Sequence, residues 1–291
     1  MAFYTPLRYP GGKGKLSYYL KEVIQHNSLL DCHYIEPFAG GAGVALELLM
    51  QEYVSKITIN DYDPAIYSFW HSILNNSDDF CEKIECTEIT METWYQQREI
   101  LRSNNYDDRL ILGFAAFFMN RTNRSGILNA GVIGGKEQAG KWKLDVRFNK
   151  PDLIKRIKKI AGYKDRIFIK NEDTLDLLIN LSLKPHENTF MYLDPPYYVK
   201  GQELYRNFYE HQDHVDIKNQ LIKMPVLHWV ATYDNTKEIK EIYNNQKVMD
   251  FDLQYSAQSK RVGSEVMIFS DNLHIPTVGL GKAIPQNLCT A

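Results

Sequence analysis

The sequence predicts an α/β fold: a Rossmann-like, doubly wound sheet of about seven strands with a mostly helical segment inserted into it. Three observations predict it. Short apolar runs of strand character alternate with helical patterns over most of the 291 residues. The alternation breaks between about 71 and 148. The first apolar run, His33-Tyr-Ile-Glu36, passes directly into the glycine-rich turn Pro37-Phe38-Ala-Gly40-Gly41-Ala42-Gly43 and then a helical run. Such a turn lets the backbone close tightly on a ligand, and the helix start offers N–H groups to it.

Taken in order, 15–25 has a helical pattern. A strand at 34–36 follows, and helix 44–52 comes after the glycines. The strand at 56–60 runs into Asp61. Helix 64–75 opens on a proline, which suits a first helical position. The irregular stretch contains a helix at 108–119 and then a loop from 120 to 140, of a length that is usually functional or disordered. Helix 151–161, strand 166–170, helix 174–181, strand 189–193, helix 213–223, strand 226–232, helix 236–243 and strands 246–251 and 265–270 restore the alternation. The tail 275–291 is punctuated by proline and glycine and is expected to fray. The expected organisation is a sheet domain of 1–70 and 149–291 around an insert of 71–148.

No apolar run reaches the ~18 residues of a spanning helix, and no signal pattern opens the chain, so cytoplasmic location without membrane association is the expectation. Cys81 and Cys86 lack the spacing and neighbouring histidines of a zinc site, so free thiols and no metal are expected. The net charge of −2 argues against an indiscriminate polyanion binder. Its distribution is uneven. From Arg121 to Lys170, 14 lysines and arginines stand against four acids, leaving −12 for the rest of the chain. This stretch begins at an Asn/Arg-rich, glycine-rich loop, so a phosphate-backbone contact competes with a merely solvated face.

The most specific signal is Thr189-Phe-Met-Tyr-Leu-Asp194-Pro195-Pro196-Tyr197-Tyr198. An apolar strand ends in a carboxylate, two prolines and an aromatic pair. The prolines stop the strand, so Asp194 sits at its mouth on a rigid turn. Asp194 and the Pro195 carbonyl are acceptors for an exocyclic amine, and Tyr197 is a flat ring to stack on the heterocycle bearing it. A carboxylate-capped tight turn is the plainer alternative. Tyr198 reads as packing, and His214 as a capping or packing residue.

With Leu7-Arg8-Tyr9-Pro10-Gly11-Gly12-Lys13, the glycine turn and the acid Asp61 about 20 residues beyond it, the Asp-Pro-Pro-Tyr segment resembles the Dam-like N6-adenine DNA methyltransferases. The resemblance runs from Leu7 to about Phe269. It implies S-adenosyl-L-methionine as cofactor and double-stranded DNA as partner, with a cognate restriction endonuclease as a further, genetic partner. It implies that Asp194, Pro195, Pro196 and Tyr197 form the catalytic segment. Tyr9 and Lys13 would close over the cofactor, Phe38 and Gly40 would line its methionine end, and Asp61 would accept from its ribose. Asp173 would lie near its adenine, with Glu172 as a neighbour able to take that role; Asp194 also borders the cofactor. For Asp61 and Asp173, helix capping before Pro64 and Leu175 remains the competing reading.

The same resemblance places Arg8 and the loop residues Asn120, Arg121, Asn123 and Arg124 against DNA, since Asn and Arg make bidentate contacts to base edges. Lys141 and Lys143, with Lys136 and Arg147, suit phosphates. Lys260-Arg261-Val-Gly-Ser-Glu265 resembles a final hairpin. One departure is Ala42, where the family usually has glycine; alanine is tolerated there if its φ is negative. Methylation of adenine in RNA, of glutamine in protein, or a non-catalytic DNA-binding role are the alternatives.

Overall fold

A computed structural model describes residues 4–8, 16–103, 107–183, 188–198, 209–255, 261–277 and 286–289. In chain order its elements are α1 (Ser17–His26), β1 (Cys32–Glu36), α2 (Gly43–Met50), β2 (Val54–Asn60), α3 (Pro64–Asn75), α4 (Ser77–Cys86), α5 (Met91–Arg102), α6 (Arg109–Thr122), α7 (Lys150–Ala161), β3 (Ile167–Lys170), α8 (Thr174–Ser182), β4 (Thr189–Leu193), α9 (His211–Leu221), β5 (His228–Asp234), α10 (Lys237–Ile242), β6 (Lys247–Tyr255), β7 (Arg261–Phe269) and β8 (Gln286–Cys289). The chain divides into two compact units, one of Met1–Gly12 with Asp61–Asn171 and one of Lys13–Asn60 with Glu172–Ala291.

The second unit holds a sheet in the order β2-β1-β4-β5-β7-β6-β8. Strand β1 pairs in parallel with β2 and β4, and β4 with β5. Strand β7 runs antiparallel between β5 and β6. All five residues of β4 are buried, which is why it reads as a continuous apolar run. Met191 and Leu193, Trp229, Ala231 and Tyr233, and Val266 and Ile268 recur at every second position and make one face. Leu178 of α8 and Ile217 and Leu221 of α9 belong to the same buried cluster. The doubly wound architecture is the expected one, and each of the seven strand-like runs is a strand. The tail departs from expectation: residues 286–289 form β8 along β6. Backbone pairing requires no periodicity of side chains, so the sequence gives no sign of it.

The first unit is helical apart from β3. Its core is aromatic: Phe69 and Phe117 stack at 5.8 Å, and Phe80, Phe114, Phe118 and Phe148 pack around them. Gly113 sets how closely α6 lies on α3, because a Cβ there would stand 2.5 Å from the Ser68 carbonyl oxygen. Asp63, Thr90, Asp108 and Asn149 cap α3, α5, α6 and α7. This unit reaches beyond 71–148 on both sides, because Phe69 and Trp70 of α3 and Leu153, Ile157 and Ile160 of α7 are buried within it. Among the described residues, no helix is long and apolar enough to cross a membrane.

Candidate functional site

In the sheet unit, β1 is followed by its neighbour β2 on one side, and β4 by β5 on the other. The direction of winding reverses between β1 and β4, and ligands bind at the carboxyl ends of strands beside such a reversal. Glu36 is the last residue of β1, and Asp194 follows the last residue of β4. Asp194 is half-buried, while Pro195 and Pro196 are buried.

Hydrogen bonds to neighbouring strands fix the Asp-Pro-Pro-Tyr segment. Thr232 Oγ1 on β5 donates to Asp194 Oδ1 at 2.9 Å. Its single proton is thereby used, so the buried Tyr192 hydroxyl, 2.8 Å away, donates to Thr232. The Tyr198 N–H donates to Asp234 Oδ1 at 2.9 Å. The Tyr197 hydroxyl donates to Glu265 Oε1 at 3.1 Å. Asp234 and Glu265 are register partners on β5 and β7, so one pair of neighbouring strands holds both tyrosines. His214 packs, as expected: it is fully buried among the rings of Tyr198, Tyr209 and Tyr233, and burial lowers its pKa to about 4. The cap of α9 is Glu210, in a capping box with Asp213.

On the glycine-turn side, Glu36 is 5% exposed and accepts from the Ala45 N–H at 3.1 Å and the Tyr34 hydroxyl at 3.3 Å. Burial pushes its pKa up to about 8, and the nearby charge of Asp194 adds to the rise. Gly40 and Ala42 both have φ of +46°. The condition of a negative φ for Ala42 is therefore not met; it takes the left-handed conformation as N-cap of α2, at a cost of about 1–2 kcal/mol. Asn60 staples the turn: its amide donates to Pro37 O and Glu172 O at 3.0 Å each and accepts from the Glu172 N–H at 3.0 Å. Phe38 is partly buried, edge-on to Tyr209 at 5.6 Å. Asp173 caps α8, accepting from the Leu175 N–H at 2.8 Å.

Asp61 belongs to the helical unit. Its carboxylate accepts from the Asp63 N–H at 2.9 Å, and Asp63, not Asp61, caps α3. In the same unit the loop after α6 is tied down by polar residues of the last turn of α6 and of its C-cap. Asn120 is fully buried; its oxygen accepts from the Arg8 N–H at 2.7 Å and its amide donates to Arg8 O and Gly126 O. Asn123 is fully buried as well; it accepts from Trp94 Nε1 at 2.8 Å and donates to Ile127 O and Leu128 O. Neither amide is turned outward, which corrects the expectation that these two side chains face DNA. Arg121 donates to the carbonyls of Arg147 and Pro6. Burial, and then the charge of Arg8, lower its pKa to about 9. Arg8 is half-buried, whereas Arg124, Lys141 and Lys143 are exposed. The Lys143 ammonium donates to Gln138 O. Tyr9 and Lys13 lie outside the described residues.

Residues 9–257 match the family described as D12 class N6 adenine-specific DNA methyltransferase. The chain belongs to that family. The type II methyltransferase M.MjaIII of Methanocaldococcus jannaschii is 25% identical over 175 residues, which cover 56% of this chain and 58% of that relative. The chain thus aligns with less than two thirds of the relative's length. A SAM-dependent methyltransferase from Agrobacterium tumefaciens superposes with a TM-score of 0.42 at 10% identity, covering 89% of this chain and 62% of that one. The rRNA methyltransferase aviRa from Streptomyces viridochromogenes gives 0.36 at 13% identity, covering 87% and 84%. Scores this low add nothing to the assignment.

Members of the D12 class take their methyl group from S-adenosyl-L-methionine. The sheet unit suits such a cofactor. The carboxylates of Asp194, Glu265 and Glu36 all act on the buried Tyr192 hydroxyl and raise its pKa after burial itself. A carboxyl displaced as far as that of Glu36 is one that a neighbouring cation restores to its ionised form, and the sulfonium of the cofactor is a cation. Sequence reasoning missed Thr232, Glu265 and Asn60 as members of this site. Glu265 stands in the segment that resembles a final hairpin, but only the sheet order brings it and Thr232 beside 194–198.

Proposed function

We propose that this D12 class chain transfers a methyl group from S-adenosyl-L-methionine to N6 of an adenine turned out of duplex DNA. The observation that carries the reading is Asp194, held at the mouth of a buried strand by the Thr232 hydroxyl at 2.9 Å, with Tyr197 beside it in the segment. When bound, the cofactor supplies an electrophilic methyl on a positively charged sulfur. The adenine amine is a poor nucleophile, because its lone pair is delocalised into the ring. Asp194 and the Pro195 carbonyl accept from its two N–H groups and favour a more tetrahedral nitrogen. Pro196 keeps the turn rigid, and Tyr197 stacks on the base, which cannot reach the methyl while paired. As the N–C bond forms and the S–C bond breaks, Asp194 takes the proton the nitrogen sheds. Positioning and charge stabilisation supply the acceleration.

Glu36 would face the positively charged sulfur of the bound cofactor and, as a carboxylate, stabilise it. Phe38 and Gly40 line the methionine end. By family pattern Tyr9 and Lys13 close over the cofactor, Asp61 accepts from its ribose, and Asp173 stands near its adenine while capping α8. On DNA, Arg124 reads a base edge, Arg8 supports it, and Lys141 and Lys143 meet phosphates. Asn120, Asn123 and Arg121 hold the loop that presents them. A restriction endonuclease of the same specificity is the fitting genetic partner.

The test is methyl incorporation into duplex DNA, RNA and protein side by side, followed by mapping of the modified adenines. Incorporation into RNA or protein alone would falsify the reading.

A further inference from the structure

The chain has four tryptophans. Trp70, Trp94 and Trp229 are each 2% exposed, whereas Trp142 is 60% exposed. It stands on a loop anchored at both sides of it. The Gly140 N–H donates to Gly134 O at 3.0 Å, and Gly134, with φ of +88°, lets the Trp142 backbone lie against it, because a Cβ there would stand 2.6 Å from Trp142 O. Beyond Trp142, the Leu144 N–H donates to Gln138 Oε1 at 2.9 Å, and the Leu144 side chain is buried. The Gln138 amide donates to Ile133 O at 2.8 Å and to Gly135 O at 2.6 Å. The backbone around the indole is therefore ordered before any partner arrives, while the ring itself is left in water.

The surroundings select the partner. Exposed Lys136, Lys141, Lys143 and Arg147 outnumber Glu137 and Asp145 on this loop, so its field attracts a polyanion. The Lys141 ammonium lies 5.4 Å from the centroid of the indole. An aromatic face set among cations is the combination that binds opened nucleic-acid strands, where phosphates meet the charges and a base stacks on the ring. An acidic protein surface would satisfy the cations but not the indole.

We propose that Trp142 is a base-stacking contact: its ring stacks on a nucleobase face of the bound DNA that becomes available when the duplex is locally unstacked. This rests on the reading of the chain as a DNA methyltransferase. The contact is non-ionic and separate from the Asp-Pro-Pro-Tyr segment. It adds affinity for opened DNA that the lysines alone do not supply.

The burial of the other three tryptophans makes the test direct. Acrylamide quenching of the intrinsic fluorescence is measured on the full chain, free and bound to a short duplex carrying the sequence it methylates. Quenching falls on binding, and Trp142→Phe removes most of the quenchable signal in the free protein. Trp142→Ala keeps the melting temperature and weakens binding about 5- to 150-fold, the range of a base–aromatic stack, with the salt slope unchanged. Lys141→Ala instead lowers that slope by about one. Methylation of DNA with unchanged quenching on binding, or with Trp142→Ala binding within about twofold of wild type, overturns the proposal and leaves the DNA reading standing. A change of salt slope in Trp142→Ala overturns it too. Failure to bind or methylate any duplex removes both readings.

Discussion

The hydroxyl of Tyr197 is bonded to a carboxylate oxygen of Glu265, 3.1 Å away and 68 residues further along the chain. The tyrosine that follows the two prolines is thus tied to β7, and Glu265 is itself 1% exposed. A ring proposed to stack on an extrahelical base gains from a fixed tilt, and this bond supplies it.

Removing that bond from either side should do the same thing. Tyr197→Phe keeps the ring face and Glu265→Gln keeps an acceptor oxygen, so Tyr197→Phe should lower kcat/KM by about 3- to 10-fold, the size of one ordinary hydrogen bond, and Glu265→Gln less. Tyr197→Ala loses the stack as well and should be worse. Combining Tyr197→Phe with Glu265→Ala should cost little beyond the worse single variant. Fully additive losses in this cycle would show that the two groups act separately.

Asp194→Ala should abolish methyl transfer while the thermal unfolding midpoint stays near that of wild type. Retention of more than about a tenth of the turnover, a barrier change under roughly 1.4 kcal/mol, would exclude the role given to the carboxylate. Thr232→Val preserves shape and removes the hydroxyl that orients Asp194. It should reduce kcat about tenfold with DNA affinity unchanged, and a loss confined to KM would speak against an orienting role.

The Glu36 carboxyl has a pKa raised to about 8 in the folded chain, from a usual 4.5. Between these values the folded state holds a proton that the unfolded state has lost, so its contribution to stability is complete below about 4.5 and disappears as pH rises through about 8. The melting temperature of the cofactor-free chain should fall across this window, and Glu36→Gln should flatten the fall. Binding of the sulfonium cofactor should release a proton that the neutral demethylated product does not release. Calorimetry at pH 7 in buffers of different ionisation enthalpy reads this difference; equal proton release by both ligands would exclude it.

Asn120→Ala should destabilise the helical unit by about 2–3 kcal/mol, because it strands buried backbone groups of Arg8 and Gly126. Arg124→Ala should leave the melting temperature unchanged and shift preference among DNA sites by about 1–3 kcal/mol. Thermal melts and binding to cognate and scrambled duplexes separate the two effects. If Asn120→Ala is as stable as wild type and alters only site preference, the amide touches bases after all.

Much of this was legible in the sequence because buried parallel strands announce themselves. The run at 189–193 is apolar throughout since both faces of β4 are covered, and Asp194 is conspicuous as the charge that ends it. Helices α4 and α5 were harder to see. Each buries only a few residues, Phe80, Cys81 and Ile84 in one and Trp94 and Leu101 in the other, so the apolar stripe is thin. Asn120 and Asn123 misled for a different reason. An amide that fastens a loop and one that reads adenine are the same side chain, and only burial distinguishes them. Ala42 stands among glycines where the family usually has glycine, but a methyl side chain carries no sign of its own φ, and only the structure shows the left-handed value.

The loop after α6 starts where that helix's buried aromatic run ends: Phe114, Phe117 and Phe118 lead directly to the buried Asn120, Thr122 and Asn123. Only beyond them in the loop do exposed side chains appear, Arg124, Lys136, Lys141, Trp142 and Lys143 among them. The segment therefore divides into positions that cannot drift without melting the unit and positions that can be exchanged at little cost to it. On the proposed DNA reading, a lineage carrying this scaffold would acquire a new target sequence by substitutions at the second kind alone, and divergence in specificity would not wait for compensating changes in the core.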